Sequence, residues 1–384
     1  MKNITILGST GSIGTQALDV VTQHKEELSV YALVANNSVE KLAEQALAFR
    51  PKVVVIGNSS YEKELKRRLK GEDIEVASGS DAINEVAASI EADVVLTAMV
   101  GFAGLAPTIS AIESGRTIAL ANKETLVVAG DLIKELCRKH RSVILPVDSE
   151  HSAIYQCLVG ERLQAVEKIY LTASGGPFVD FPIERLESVT PEEALRHPNW
   201  SMGQKVTIDS ATMMNKGLEM IEAHHLFNVA PEQIEVVVHR QSIIHSMVGY
   251  KDGSIKAQLS HPDMRHPIAY ALLFPNRLEG LRPLLTIGEM AHLTFEEPRR
   301  DAFPCLSLAY EALNRGGTAT CTMNAANEIA VERFLDKQIR FTDIPRIIKY
   351  TMDKAPERNA TNLAVLQEAD IQARSIARAW HEGI

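Results

Sequence analysis

The sequence predicts an α/β fold: a parallel sheet flanked by helices, then an α+β region, then helices to the end. Three observations predict it. Apolar, β-rich runs alternate with helical patterns through the first third. The pattern changes after Pro146. From Phe303 onward the helical period takes over.

In the first third, "ITILG" leads into "GSIGTQALDVVTQ", "LSVYALVA" into "SVEKLAEQALAF", and "KVVVIG" into "SYEKELKRRLK". "DVVLTAM", "TIALA" and "SVILPV" follow, each separated from the next by a helical stretch. Strands covered on both faces should be apolar throughout, and these nearly are. Beyond Pro146, the runs "KIYLTAS", "IEVVVH", "SIIHSMVGY" and "SIKAQLS" surround helical stretches near 149–158 and 207–227. A Pro-rich, unpatterned connector comes next. The final helices carry "CLSLAYEALN", "MNAANEIAVERFLD", "DIPRIIKYTMD" and "NLAVLQEADIQARSIARAW". The expected divisions are 1–147, 148–274, 275–302 and 303–384, in line with the two or three domains that 384 residues suggest.

Composition narrows the function classes. The formal net charge of -9 argues against nucleic-acid binding through phosphate contacts. The four cysteines, Cys137, Cys157, Cys305 and Cys321, form no C-x-x-C pair, so neither a thiolate zinc site nor a disulfide frame is indicated. They read as reduced, mostly buried thiols. No signal-peptide pattern precedes "KNITILG", and no apolar run is long enough to span a bilayer. A cytoplasmic protein with neither membrane nor nucleic-acid partner is expected.

"ILGSTGSIGTQ" places Gly8, Gly11 and Gly14 at the first strand-to-helix turn. Glycine permits the tight turn and lets backbone N–H groups approach a diphosphate, and the helix N-terminus adds its positive end. Ser9, Thr10 and Ser12 offer hydroxyls. Standing at the head of a βαβ series, the loop reads as a Rossmann-like dinucleotide site, with a purely structural turn as the alternative. After the second strand, Ala35–Val39 holds no acid to grip a ribose 2′-hydroxyl, which favours NADP(H). In "ALANKETLV", Asn122, Lys123 and Glu124 stand at a strand's C-terminal end, where ligands of such sheets bind; an ordinary helix start with Asn122 as N-cap is the other reading.

The acids come next. In "LPVDSEHSA", Asp148 and Glu150 flank Ser149. If the chain is extended there, the two carboxylates share one side and repel unless a cation sits between them. Oxygen ligation suits Mg²⁺ or Mn²⁺, while a solvated turn is the alternative. In "IDSATMMNKGLEMIEAHHLF", Asn215, Lys216 and Glu219 share a helix face, with Ser210 one to two turns earlier. They can hold a phosphate while Glu219 completes a metal site, or form no more than a surface ion pair. "TASGGPF" puts Ser174 before a Gly-Gly turn suited to an anion, and "RHPNWSMGQK" gathers His197, Trp200 and Gly203 in an unpatterned loop, readable as a lid with an exposed Trp or as a buried anchor. His224 and His225 read as packing or surface residues.

Taken in order, "GSTGSIG", "ANKETLV", "PVDSEHSA", "TASGGPF", "HPNWSMGQKVTIDSATMMNKGLE" and "NAANE" resemble the 1-deoxy-D-xylulose 5-phosphate reductoisomerase family across essentially the whole chain. The resemblance implies conversion of that ketose phosphate to 2-C-methyl-D-erythritol 4-phosphate with NADPH and a divalent metal, in the non-mevalonate isoprenoid pathway. It also implies a homodimer and a central catalytic domain with a flap. By resemblance, Asp148, Glu150 and Glu219 bind the metal, and Lys123, Ser149 and Glu150 meet the reacting end of the substrate. Ser174, His197, Ser210, Asn215 and Lys216 hold its phosphate side. Thr10, Gly11, Ser12, Ile13, Asn122, Glu124 and Gly203 touch NADPH, and Trp200 is the flap residue. Two departures stand out. Asn36-Asn37-Ser38 replaces the family's Gly-Lys-Asn or Gly-Arg-Asn, which bears on the strength of NADPH preference. His225 replaces a common tryptophan, a change expected to alter packing and not chemistry. Two rivals remain on sequence grounds: a simple NADP-dependent reductase that never rearranges carbon, and an NADP-binding redox sensor without catalysis.

Overall fold

A computed structural model describes residues 1–198, 200, 202–280 and 282–381. Asn199 and Ser201 of the lid motif lie outside the described residues. The chain forms two compact units. The first combines Met1–Thr125, Ile133–Ser152 and Asp263–Pro283; the second combines Leu126–Leu132, Ala153–Pro262 and the chain from Leu284 onward.

The first unit is a seven-stranded sheet. Its strands are β1 (Lys2–Leu7), β2 (Leu28–Ala35), β3 (Val53–Ile56), β4 (Glu75–Ser78), β5 (Val94–Thr97), β6 (Thr117–Leu120) and β7 (Ile144–Pro146). They lie in the order β4-β3-β2-β1-β5-β6-β7, all parallel. The order reverses between β1 and β5, and ligands of such sheets bind beyond the strand ends at that switch point. There Gly8 has a φ of +92°, and a Cβ on it would lie 2.6 Å from the Ala98 carbonyl oxygen that follows β5. Gly14, in the first turn of the Ser12–Gln23 helix, leaves no more room: a Cβ would lie 2.3 Å from the Gly8 oxygen.

Three elements of this unit lie outside the sequence pattern, the helix Gly79–Ala88 among them. β4 reads "EVAS", short and partly exposed, so it lacks the apolar run that marks its neighbours. Edge strands commonly look this way. The helix Arg265–Leu273 packs on the Ser12–Gln23 helix, and the Lys2 ammonium donates to its last carbonyls, Leu272 (3.2 Å) and Phe274 (2.7 Å). A cation on C-terminal carbonyls satisfies groups that the helix itself cannot.

The second unit contains a four-stranded sheet, β11-β10-β8-β9, formed by β8 (Val166–Ala173), β9 (Ile234–Val238), β10 (Ile244–Tyr250) and β11 (Ile255–Leu259). β8 and β9 are parallel and the other pairs antiparallel. The Met214–Phe227 helix packs between this sheet and the Cys305–Arg315 helix. Gly217 sets that approach, because a Cβ there would meet the Ala309 methyl at 2.6 Å. Helices Ala319–Leu335, Asp343–Lys354 and Leu363–Ala379 complete the unit, where the sequence expected them. The stretch expected over 207–227 is two helices, Gln204–Ala211 and Met214–Phe227. They break at Met213, which takes the left-handed conformation at φ 62°. Periodicity does not register so brief a break. From 275 to 302 the described residues form neither helix nor strand, save one bridge between Val238 and Glu296.

The cysteines are free, three buried and Cys137 half-buried. Among the described residues no helix is long and apolar enough to cross a membrane.

The Gly14 contact leads to a test. Gly14→Ala should cost about 1–3 kcal/mol in urea unfolding, because only backbone atoms could yield. Gly203→Ala, whose Cβ meets open space, should stay within about 0.5 kcal/mol of the parent.

Candidate active site

In the first unit the site residues stand at the carboxyl ends of the strands. The glycine loop presents Thr10, Gly11, Ser12 and Ile13, with Gly11 and Ser12 exposed. Ser9 differs from expectation. It is buried, its hydroxyl donates to Gln45 Oε1 at 2.8 Å, and Gln45 Nε2 returns a bond to the Ser9 carbonyl at 2.9 Å. It therefore braces the loop against the Val39–Phe49 helix and is not offered to a ligand. Lys41 of that helix donates to the Thr10 carbonyl at 2.8 Å.

Beyond β6, Asn122 and Lys123 precede the Glu124–His140 helix. Asn122 is buried and bridges two loops: its amide nitrogen donates to the Met99 carbonyl and, at 2.9 Å, to that of Gly101. Its oxygen accepts from Thr125 N at 3.0 Å, a capping bond. Lys123 is buried as well, and its ammonium pairs with Asp148, which follows β7. The chain at Asp148–Glu150 is not extended, because a helix starts at Ser149. Asp148 thus sits just before the helix and Glu150 in its first turn, where Glu150 accepts from the Ser149 hydroxyl at 2.6 Å. Helix N-termini favour carboxylates. Burial works to raise the Asp148 pKa, but the Lys123 charge and then His151 outweigh it and hold the carboxyl well below its usual range. Fully buried His151, with Nδ1 3.8 Å from Asp148, was not assigned a role from sequence. Its i,i+3 spacing from Asp148 was the available signal.

The residues expected on the phosphate side all belong to the second unit. Ser174 directly follows β8, and its hydroxyl oxygen accepts from Gly176 N at 3.2 Å and lies 3.0 Å from His197 Nε2. His197 Nδ1 accepts from Trp200 N at 3.0 Å, so the ring carries its proton on Nε2 and donates to Ser174. Trp200 is half-buried, not exposed, and tilts against His245 at 6.1 Å between centroids. Gly176 abuts the next helix, since a Cβ would lie 2.7 Å from the Ser210 carbonyl oxygen. After the break at Met213, Asn215 Nδ2 donates to Glu219 Oε1 and the Lys216 ammonium to Glu219 Oε2. Lys216 is 4% exposed and Glu219 1%, which rules out the surface ion pair of the alternative reading. His225 packs face-on against the kinked turn of the Glu124–His140 helix, at Gly130 and 3.7 Å from Asp131. It plays the packing role expected of it.

Three family models cover residues 4–130, 144–227 and 259–376: 1-deoxy-D-xylulose 5-phosphate reductoisomerase, its C-terminal domain, and the DXP reductoisomerase C-terminal domain. The chain belongs to the 1-deoxy-D-xylulose 5-phosphate reductoisomerase family. It is 53% identical to a reductoisomerase of Bacteroides fragilis, over 98% of this chain and 97% of that one. It is 54% identical to one of Chlorobaculum tepidum, over 98% and 99%. Among solved structures, the Zymomonas mobilis reductoisomerase in complex with NADPH matches with a TM-score of 0.94 at 45% identity, covering 100% of both chains. A reductoisomerase in complex with NADPH, fosmidomycin and magnesium also gives 0.94, at 41% identity over 99% and 98%.

His197 links this reductoisomerase-family site to pH. Burial, then the Lys216 charge, pushes its pKa from 6.5 down to about 4. The folded state therefore favours the neutral ring, and the stability this gives is present above 6.5 and lost as pH falls from 6.5 toward 4. In urea unfolding across that window, His197→Asn should lose stability less steeply than the parent.

Proposed function

We propose that this chain converts 1-deoxy-D-xylulose 5-phosphate to 2-C-methyl-D-erythritol 4-phosphate, by metal-dependent rearrangement of the carbon skeleton and reduction by NADPH, in non-mevalonate isoprenoid precursor synthesis. The observation that carries the reading is the likeness, along nearly the whole chain, to a reductoisomerase solved with NADPH, fosmidomycin and magnesium.

The residues present fit both groups. Asp148, Glu150 and Glu219 offer hard carboxylate oxygens to Mg²⁺ or Mn²⁺. At Gly8 and Gly14 a Cβ would strike the Ala98 and Gly8 carbonyl oxygens, so glycine permits the tight turn from which backbone N–H groups can approach a diphosphate. We assign NADPH contacts to Thr10, Gly11, Ser12, Ile13, Asn122, Glu124 and Gly203. When bound, the cation polarises the ketose carbonyl and NADPH supplies the hydride. Lys123, Ser149 and Glu150 meet the reacting end. The Lys123 ammonium can donate to a developing oxyanion or move its proton. Ser174, His197, Ser210, Asn215 and Lys216 hold the phosphate, which supplies binding energy remote from the reacting carbons, and Trp200 closes over the ligand. We further propose a cytoplasmic homodimer, free of membrane and nucleic acid, with a nucleotide-binding part over 1–147, a catalytic part over 148–274, a connector over 275–302 and a helical part over 303–384.

The test follows NADPH absorbance with 1-deoxy-D-xylulose 5-phosphate, with and without chelator, and identifies the product. Oxidation of NADPH that stops on chelation and yields the branched product is expected. Reduction without rearrangement would favour the simple reductase, and nucleotide binding without turnover the redox sensor. Glu219→Gln should lower metal-dependent turnover by about 100-fold or more, and Lys123→Met should lower kcat by about 10²–10⁴. Undiminished turnover in either variant removes that residue from the site.

A further inference from the structure

The motif "NAANE" has no part in the chemistry assigned above. It lies in the Ala319–Leu335 helix, where Asn324 and Asn327 are fully buried. Asn327 Nδ2 donates to Asp209 Oδ1 at 2.8 Å, across 118 residues of sequence. Asp209 is itself 1% exposed, and its other oxygen faces Lys205 Nζ at 2.8 Å, one turn earlier on the same helix. That helix, Gln204–Ala211, emerges directly from the Trp200–Gly203 loop and carries Ser210 in its last turn. From another side, Gly176 of the Gly-Gly turn abuts the Ser210 carbonyl. Ser210 is thus held between a glycine turn beside Ser174 and a buried amide–carboxylate bond.

We propose that Asn327 is a positioning residue for the phosphate site: through Asp209 it fixes the register of the helix that presents Ser210. The inference rests on the reading that Ser210 holds the substrate phosphate. A carboxylate buried beside a flexible lysine has more than one way to settle. The amide supplies a directional donor from a helix that carries no other assigned ligand residue, and so selects one. Misplacement of a binding group by about 1 Å can cost up to about 10²-fold in rate.

A readout that a merely structural role would not move is the phosphate dependence of the defect. Asn327→Ala should raise KM for 1-deoxy-D-xylulose 5-phosphate by about ten-fold. It should leave NADPH affinity, read by quenching of protein fluorescence, unchanged. With unphosphorylated 1-deoxy-D-xylulose the ratio of kcat/KM between variant and parent should return to near one. If Asn327→Ala does not fold, Asn327→Ser keeps a polar group while drawing the donor back from Asp209, and should show the same phosphate-dependent loss. Equal losses with both substrates, or a lowered urea midpoint with unchanged KM, would overturn the proposal. Ser210→Ala separates the layers. If it leaves KM unchanged, the phosphate reading fails and takes this inference with it. If it raises KM while the Asn327 variants do not, only the positioning role fails.

Discussion

A carboxylate taken out of water must find positive charge or hydrogen-bond donors, and both units of this protein are organised around that need. Burial alone would drive Asp148 toward the neutral acid; the Lys123 ammonium reverses the outcome, with His151 behind it. Glu219 meets the same constraint with Asn215 and Lys216. Such pairs contribute little net stability, because desolvation offsets most of the attraction, but removing one partner strands a buried charge. Each arrangement holds its carboxylate oxygens in one orientation away from water.

The backbone makes this possible at a few points. The reversal of strand order between β1 and β5 opens the sheet where the glycine loop sits, and no side chain fits at Gly8 or Gly14. The helix start at Ser149 turns two acids one residue apart into one at a helix entrance and one within its first turn. Gly217 brings the Met214–Phe227 helix against the Cys305–Arg315 helix, while Lys216 and Glu219 lie buried on other sides of the same helix.

Most of this architecture was legible in the sequence because it is periodic. Six of the seven parallel strands announce themselves as apolar runs, and the four C-terminal helices by their stripe. What escaped was short or depended on tertiary contact. β4 is partly exposed and so lacks an apolar run, and the Arg265–Leu273 helix follows a strand pattern with no cap to mark its start. At the site, residue types and order pointed to the chemistry, but not to how each side chain is committed. Ser9 looks like a ligand hydroxyl until Gln45, 36 residues away, takes it. The Lys216–Glu219 pair looks like a surface contact until its burial is seen. Asn327 gives no local sign of its bond to Asp209, because the partner lies more than a hundred positions earlier.

Met213 carries a consequence for anyone engineering this fold. A buried, non-glycine residue in left-handed geometry is a conformation the chain would not choose in isolation. Its N–H donates to the Ser210 carbonyl, its own carbonyl accepts from Gly217 N, and the neighbouring Met214 N donates to the Thr212 hydroxyl. Directed evolution for heat tolerance rewards relief of such tension. Fusing the two flanking helices into one straight rod would turn the side chains beyond the joint through a different angle. Hardier variants selected in this segment should therefore be screened for catalysis in the same round.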